Sequence, residues 1–206
     1  MTHELVLDLL QRHYSNEVVR STGSRPADGD RVRENLAMIA DHFAPRQGAR
    51  NPRKRGLFIS GPTGTGKTTA VRSLALTIRQ LADLELLPSY ESDRYPRMVM
   101  ATELARIATQ DLDRYEMLKN CDRLIIDDLG MEPTEVMSFG MPLHPMEDLL
   151  AYRYDRRSET YIATNYPYSP LFLGDKGIRP KYSDPRLEDR LHETMTVVNL
   201  LGRSYR

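Results

Sequence analysis

The chain has 206 residues, with 29 Lys and Arg residues balanced by 29 Asp and Glu residues. This length suffices for one α/β domain with its own core plus a short appendage. The zero net charge excludes a general electrostatic attraction to nucleic acid or membrane. The single cysteine, Cys121, indicates a reducing compartment. Without a secretory signal pattern or a run of about 18 apolar residues, we expect a soluble, cytoplasmic protein with no membrane partner.

Two helices are predicted at the start of the chain. The first covers residues 1–20, and the second follows the helical spacing of apolar residues from Val32 to Phe43 and stops before Pro45. A basic segment, RQGARNPRKR, comes next. We therefore divide the chain into three parts. They are a helical N-terminal extension (1–45), a basic linker (46–56) and a core (57–206).

Short apolar runs alternate with helical segments from residue 57 onwards, which predicts a parallel, doubly wound sheet. The expected strands are Leu57–Ser60, Arg97–Ala101, Arg123–Ile126, Thr160–Thr164 and Met195–Leu200. The helices between them are expected to start near Lys67, Thr102, Met146 and Pro185.

A glycine-rich segment follows the first predicted strand. Gly61-Pro62-Thr63-Gly64-Thr65-Gly66-Lys67-Thr68 fits the pattern GxxxxGK[ST], and Thr69 continues it into the helix. Glycines let the backbone curl so that N–H groups face phosphate oxygens, and the helix directs its positive end at the same anion. Lys67 can reach the β- and γ-phosphates, and the Thr68 hydroxyl can bind Mg²⁺. The segment predicts an ATP site of the P-loop type.

Two aspartates, Asp127 and Asp128, end the third predicted strand. Unpaired carboxylates at the end of a buried strand are unfavourable, and parallel sheets bind ligands at the carboxyl ends of their strands. We expect Asp127 to hold the hydration shell of Mg²⁺ and Asp128 to orient or deprotonate the attacking water. Alternatively, Asp128 only caps the next turn, and Glu132 is then the first candidate for the base.

Other polar side chains are predicted to lie near this edge. Asn165 follows the fourth strand, where it either points at the γ-phosphate or serves as a turn residue. Asp184 and Pro185 start a helix that carries Arg186 and Arg190 on a face away from the core. These arginines either form local ion pairs of little energetic value or reach the ATP site of a neighbouring subunit. Their spacing leaves both possibilities open.

The order and spacing of these segments resemble the DnaC/IstB branch of AAA+ ATPases. This branch contains bacterial and phage helicase loaders and ATPase helpers of certain transposons. The matching segments are GPTGTGKT (61–68), RLIIDDLG (123–130), RYDRR (153–157), TYIATN (160–165) and RLEDRLHETMTVVNLLGRSYR (186–206). Together they extend the resemblance from about residue 30 to the last residue.

The resemblance implies an AAA+ P-loop core with a five-stranded parallel sheet in the order 5-1-4-3-2 and no C-terminal lid domain. It makes Asn165 the sensor of the γ-phosphate and Arg186, or as second choice Arg190, the finger that enters the next subunit. ATP and Mg²⁺ are the implied ligands. Most AAA+ proteins have glutamate where this chain has Asp128, which favours slower hydrolysis. The segment Thr102–Asn120 is short, so the helix with which many loaders contact DNA is expected to be reduced.

Several functions remain compatible with the sequence. The leading one is a helicase loader that assembles into a ring or spiral and acts with a replicative helicase on single-stranded DNA. The alternatives are a transposition helper of the same fold and a nucleotide-gated binding module with little turnover. A small-molecule kinase is disfavoured because such enzymes usually carry an arginine-rich lid. The basic residues expected to contact DNA are Arg50, Arg53, Lys54 and Arg55, with Lys176, Arg179 and Lys181 as a second set.

Overall fold

The structure is a computed structural model that describes residues 1–26, 29–45, 54–87, 95–138, 140–172, 181–182, 184–200 and 202. Its helices are α1 (His3–Thr22), α2 (Gly29–Phe43), α3 (Lys67–Asp83), α4 (Ala101–Gln110), α5 (Leu112–Asn120), α6 (Pro145–Asp155), α7 (Tyr168–Phe172) and α8 (Pro185–Thr194). Its strands are β1 (Gly56–Ser60), β2 (Arg97–Met100), β3 (Arg123–Leu129), β4 (Val136–Ser138), β5 (Met141–Leu143), β6 (Glu159–Thr164) and β7 (Met195–Asn199).

The main sheet has five parallel strands in the order β2-β3-β6-β1-β7. The five predicted strands correspond to β1, β2, β3, β6 and β7, so the predicted order 5-1-4-3-2 is confirmed. The sequence analysis did not predict the antiparallel hairpin of β4 and β5. Gly140, with φ of 79°, adopts at its turn a left-handed conformation that suits glycine. The hairpin lies between β3 and α6, outside the main sheet.

Alternating strand side chains build a separate core on each face of the sheet, as expected for pleated strands. On one face, Leu57, Ile59 and Tyr161 pack with α1, α2 and α3. On the other face, Phe58 and Ile162 pack with side chains from α4, α5, α6, α7 and α8. This two-sided packing confirms the predicted doubly wound α/β architecture.

The two N-terminal helices join the core on the α3 face. Val6 and Leu10 of α1 and Ile39 of α2 are fully buried in the same cluster as the strand side chains. A hydrogen bond of 3.0 Å joins His13 Nε2 on α1 to Gln80 Oε1 on α3. The expected extension therefore packs directly on the phosphate-loop helix. The division at residues 45 and 56 stays a prediction, since most of the linker lies outside the described residues.

The segment between β2 and β3 forms two helices where the sequence predicted one. Asp111 separates them, because its backbone N–H ends α4 at the Ile107 carbonyl while its side chain accepts from Arg114 N at 3.1 Å and caps α5. Elsewhere, the predicted starts of α3, α6 and α8 agree with the structure to within one residue. In the part of the chain that the structure describes, every helix is too short or too polar to cross a membrane.

Candidate nucleotide-binding site

The glycine-rich segment forms the turn from β1 into α3, the context that the motif requires. Gly64 and Gly66 have φ values of 85° and 83°, which glycine adopts without strain. The Thr65 hydroxyl donates to the Pro62 carbonyl at 2.9 Å and closes the loop on itself. Ala70 N then donates to the Gly66 carbonyl at 2.8 Å, and α3 begins. The loop therefore presents the start of a helix to the carboxyl ends of the strands.

Lys67 is held inside the loop and is only 5% exposed. Its ammonium group donates to the carbonyl oxygens of Gly61 at 2.8 Å and of Pro62 at 2.7 Å. Burial lowers the pKa of Lys67, and the nearby charges of Asp128 and Asp127 partly oppose this shift. Among the described residues, its hydrogen bonds go to two neutral carbonyl groups, and the two aspartate charges offset the cost of burial only in part. A phosphate oxygen in the loop would supply the missing negative charge.

The end of β3 departs from regular strand geometry at the two aspartates. Between the pairs Ile126–Ile162 and Leu129–Thr164, β3 contains one more residue than β6, so the strand bulges there. Asp128 has φ of 57°, a left-handed conformation that is uncommon outside glycine but tolerated by aspartate. Bulges re-aim side chains next to active sites. Here the bulge turns Asp128 into the cavity described below while Asp127 stays behind it.

Asp127 is buried, with 1% of its surface exposed. Its Oδ1 accepts from the Thr68 hydroxyl at 3.5 Å and from Asp128 N at 3.0 Å, whereas Oδ2 has no hydrogen-bond partner among the described residues. Burial, together with the charge of Asp128, raises the pKa of Asp127. A buried oxygen without a partner next to a threonine hydroxyl fits a divalent cation. The pairing of one carboxylate with one hydroxyl suits Mg²⁺, which usually takes one or two carboxylates from a protein and keeps waters and phosphates as its other ligands.

Replacing Asp127 with asparagine is expected to stabilise the chain in the absence of nucleotide. Asparagine keeps the Oδ1 acceptor but removes an uncompensated buried charge, which costs about 1–3 kcal/mol. The melting temperature should therefore rise by about 2–6 °C. The part of the stabilisation by ATP that depends on Mg²⁺ should be reduced, while the part that the loop and Lys67 provide should remain. Thermal melts without nucleotide, with ATP alone and with Mg²⁺·ATP measure both effects. The exposed Asp8, changed to asparagine, is the matched control and should alter neither, and a destabilised Asp127→Asn would contradict the assignment.

Asn165 lies at the carboxyl end of β6, and β6 lies between β1 and β3. Asn165 therefore lies between the end of β1, where the glycine-rich loop begins, and the end of β3, which carries Asp127 and Asp128. Its Nδ2 donates a long hydrogen bond of 3.4 Å to Asp128 Oδ1, so the amide and the carboxylate are in direct contact. Both side chains line one cavity together with Lys67 and Thr68.

That cavity has a volume of about 730 Å³, in the range of small-molecule sites. From the predicted loop it is lined by Thr63, Gly64, Gly66, Lys67, Thr68 and Thr69. Its opposite wall comes from α1, the following turn and α2, and consists of Tyr14, Val18, Ser21, Thr22, Arg25, Pro26 and Val32. The sequence analysis assigned none of these residues to the site. No motif marks them, because only folding brings α1 next to the loop.

Tyr14 contacts the phosphate loop directly. A Cβ atom at Gly66 would lie 2.2 Å from the Tyr14 hydroxyl oxygen, so any other residue at this position would require the Tyr14 side chain to move. Two features thus favour glycine at residue 66, namely its left-handed φ and the close approach of Tyr14. The wall of mixed apolar and polar side chains offers a surface for a base and a sugar beyond the phosphates.

Arg186 and Arg190 lie on α8, and neither lines the cavity among the described residues. The Arg186 side chain is 78% exposed, and its Nε donates to Asp184 Oδ1 at 3.2 Å. The Arg190 side chain is 27% exposed, since its guanidinium lies over the Tyr154 ring at 5.1 Å and 3.9 Å from Asp155 Oδ1. Both arginines therefore form a local ion pair, and they differ in that the Arg186 side chain is largely exposed whereas the Arg190 side chain is partly buried.

Three of the basic residues expected to contact DNA lie among the described residues, and each donates a hydrogen bond to a backbone carbonyl of this chain. Lys54 Nζ donates to the His192 carbonyl at 2.5 Å, and Arg55 donates to the Arg157 carbonyl at 2.7 Å. Lys181 Nζ donates to the Glu132 carbonyl at 2.5 Å. The other expected DNA contacts, Arg50, Arg53, Lys176 and Arg179, lie outside the described residues.

No protein-family model and no curated protein matches the sequence. The structure is similar to a protein described as a primosome component from Streptococcus pyogenes serotype M3, with TM-score 0.58 and 18% identity over 88% of this chain and 85% of that chain. It is similar to DnaI, with TM-score 0.57 and 18% identity over 89% of each chain. It is also similar to the replication initiator DnaA bound to AMPPCP and single-stranded DNA, with TM-score 0.50 and 18% identity over 83% of this chain and 46% of that one.

These similarities define the class of protein at the level of the fold. The chain has the α/β fold of P-loop proteins, with a parallel five-stranded sheet flanked by helices, and it shares this fold with DnaI and DnaA. The similarity to DnaI and to the primosome component confirms the fold that the resemblance implied.

Proposed function

We propose that this protein is a Mg²⁺-dependent ATPase that acts as a helicase loader. The observation that carries the proposal is the convergence of four polar side chains in one cavity. Lys67 and Thr68 come from the phosphate loop, Asp128 from the bulge of β3, and Asn165 from the end of β6. This is the set of groups that phosphoryl transfer needs, namely a cation for the phosphates, a hydroxyl for the metal, and acceptors for the attacking water.

In the proposed reaction, Lys67 and the backbone N–H groups of the loop, which every residue from 61 to 69 except Pro62 has, hold the phosphates of ATP. Asp128 accepts a proton from the water whose oxygen attacks the γ-phosphorus, and the bond to the bridging oxygen breaks to release ADP and phosphate. Asn165, 3.4 Å from Asp128 Oδ1, orients that water against the γ-phosphate. Thr68 and, through water, Asp127 would hold Mg²⁺, which supplies charge neutralisation on the phosphates.

The loader assignment is supported by the structural neighbours that carry names from replication. One is described as a primosome component and one is the initiator DnaA with bound single-stranded DNA. We infer that the chain self-associates into a ring or spiral in the cytoplasm and hands a replicative helicase onto single-stranded DNA. Exposed Arg186 on α8 would complete the ATP site of the next subunit, and its exposure favours it over Arg190.

Phosphate release measured with and without single-stranded DNA tests the proposal. A loader should hydrolyse ATP and should bind single-stranded DNA more tightly when ATP has ordered the subunits. The affinity for DNA should fall with increasing salt. In a plot of the logarithm of the association constant against the logarithm of the salt concentration, the slope should be about −0.7 for each phosphate that the protein neutralises. Nucleotide binding with no phosphate release under any condition would favour the nucleotide-gated binding module. A preference for duplex DNA independent of ATP would favour the transposition helper.

Replacing Arg186 with alanine is expected to leave ATP affinity unchanged and to lower hydrolysis by about a thousandfold, the size of an arginine-finger effect. The lost side chain serves the neighbouring site, so activity should return on mixing. An Arg186→Ala chain with an intact site and a Lys67→Ala chain with an intact finger should together regain part of the activity. Arg190→Ala is the matched control and should hydrolyse ATP normally. No recovery at any mixing ratio would exclude an intersubunit role.

A further inference from the structure

A buried carboxylate outside the cavity connects the bulge of β3 to the start of α8. Glu132 is only 3% exposed, and it does not line the cavity. Its Oε2 accepts from Gly130 N at 2.9 Å, and its Oε1 accepts a short hydrogen bond from the Tyr182 hydroxyl. The sequence made Glu132 the alternative candidate for the base. A carboxylate enclosed in this way is not placed to deprotonate a water beside the γ-phosphate. Both oxygens of Glu132 are used to join two segments of the chain.

On one side, Glu132 fixes the turn that follows the catalytic strand. Gly130, its backbone partner, has φ of 97° and lies two residues after Asp128. A Cβ atom at Gly130 would lie 2.7 Å from the Tyr166 ring, so the turn packs tightly against the segment that follows Asn165. Met131 N also donates to the Asp128 carbonyl at 3.2 Å. The conformation of Asp128 is therefore held from its carboxyl side by this turn.

On the other side, Glu132 holds the residue that leads into α8. Tyr182 is buried, its ring stacks on Phe172 with centroids 5.3 Å apart, and its backbone N–H donates to the Leu171 carbonyl at 3.1 Å. The pKa of Tyr182 is raised, mainly by burial and to a smaller extent by the charge of Glu132. The hydroxyl therefore stays protonated and remains a hydrogen-bond donor. Two residues later, Asp184 caps α8 by accepting from Arg186 N at 3.0 Å.

A buried hydrogen bond such as that between Glu132 and Tyr182 requires more exact geometry than an apolar contact does. A buried carboxylate must have all its acceptors satisfied, and hydrophobic residues of similar volume often stabilise a fold as well or better. The Glu132–Tyr182 pair is satisfied at both ends, and its directional hydrogen bonds fix one relative position of two segments. One segment carries Asp128, and the other carries the arginine that the proposed function assigns to the neighbouring subunit.

We propose that Glu132 and Tyr182 are positioning residues that couple the ATP site of one subunit to the placement of its own Arg186 in the next subunit. The inference rests on the proposed ATPase function. A change at Asp128 when ATP binds or is hydrolysed is passed through the turn at Gly130, Glu132 and Tyr182 to the start of α8. The residues act through Arg186 and touch no substrate.

Replacing Tyr182 with phenylalanine tests the link, because the buried ring is kept and only the donor is removed. The variant should bind ATP like the wild type, while kcat of the assembled protein should fall by about tenfold to a hundredfold, as expected when a catalytic group is misplaced. Tyr115→Phe is the matched control. Tyr115 is also buried, and its hydroxyl donates to the Pro145 carbonyl at 2.8 Å, away from both segments. It should lose thermal stability but keep its kcat. Equal kcat values for the two variants would overturn the inference.

Mixing experiments locate the defect. A Tyr182→Phe chain combined with Lys67→Ala should regain activity, because Lys67→Ala supplies a well-placed arginine to an intact site. Combined with Arg186→Ala it should stay inactive, because the only arginine that the pair can supply is the misplaced one. The reverse pattern would show that Tyr182 acts on its own subunit's site and would overturn the inference. A wild-type chain that hydrolyses no ATP would overturn the proposed function first, and this inference with it.

Glu132→Gln provides a second variant that should fold whatever the fate of Tyr182→Phe. The amide can still accept from Gly130 N and can donate to the Tyr182 hydroxyl, so the link is retained. We expect this variant to keep most of the wild-type kcat. A loss as large as that caused by removing the catalytic base would make Glu132 the base and would overturn its role as a link.

Discussion

Lys67→Ala is expected to abolish useful ATP affinity while the fold is retained. Among the described residues, the ammonium group donates hydrogen bonds to the backbone carbonyls of Gly61 and Pro62 and to no side chain. Water can reach these carbonyls at the mouth of the loop once the side chain is removed. With ATP bound, the same charge would face the phosphates, and removing one partner of such a pair costs about 2–5 kcal/mol. The dissociation constant should therefore rise by about thirtyfold or more.

Titration with a fluorescent ATP analogue measures this loss, and circular dichroism melts show whether the fold is retained. Lys119→Ala is the matched control. Lys119 forms an ion pair with Glu116 on α5 at 2.9 Å, away from the cavity. The control should bind ATP like the wild type. Wild-type affinity in Lys67→Ala would contradict the assignment of the phosphate loop.

Asp128→Asn is expected to keep ATP binding and to lose most of the hydrolysis. Asparagine is nearly isosteric with aspartate and also tolerates the left-handed conformation found at φ of 57°. The bulge and the 3.4 Å contact to Asn165 should therefore persist. An amide cannot accept the proton of the attacking water, and loss of a general base lowers the rate by about a hundredfold to ten-thousandfold.

Single-turnover phosphate release with saturating Mg²⁺·ATP measures this effect independently of affinity. Asp155→Asn, an exposed change on α6, serves as the control and should hydrolyse ATP at the wild-type rate. If Asp128→Asn turned over ATP normally, Asp128 would not be the base. Glu132 would then be tested through its own variant, although both of its oxygens are engaged with Gly130 and Tyr182.

The sequence alone was sufficient to predict the sheet and to locate the glycine-rich loop and the polar strand ends that line one side of the cavity. The strand order followed from the resemblance, and the strands themselves followed from short apolar runs, because a strand buried on both faces needs apolar residues throughout. The loop at 61–68 was recognisable because phosphate binding requires glycines and a lysine at fixed spacing within a few residues. Asp127, Asp128 and Asn165 were predicted to lie near the loop because the ends of parallel strands meet at one edge, and Asp128 and Asn165 do line the cavity with it. Each of these features depends on short stretches of sequence or on a repeated topology.

Only the tertiary structure decided the features that join distant segments. Tyr14 is separated from Gly66 by 52 residues, and its contact with the loop exists because α1 packs on α3. The hairpin of β4 and β5 and the separate helix α5 were missed because short elements depend on local capping and tertiary packing more than on periodicity. The sequence could not predict that Arg186 is largely exposed and that Arg190 is partly buried, because residues four apart lie on the same face of a helix. Neighbours along the chain determine a motif, whereas the partners of a buried or exposed side chain are determined by which elements pack together.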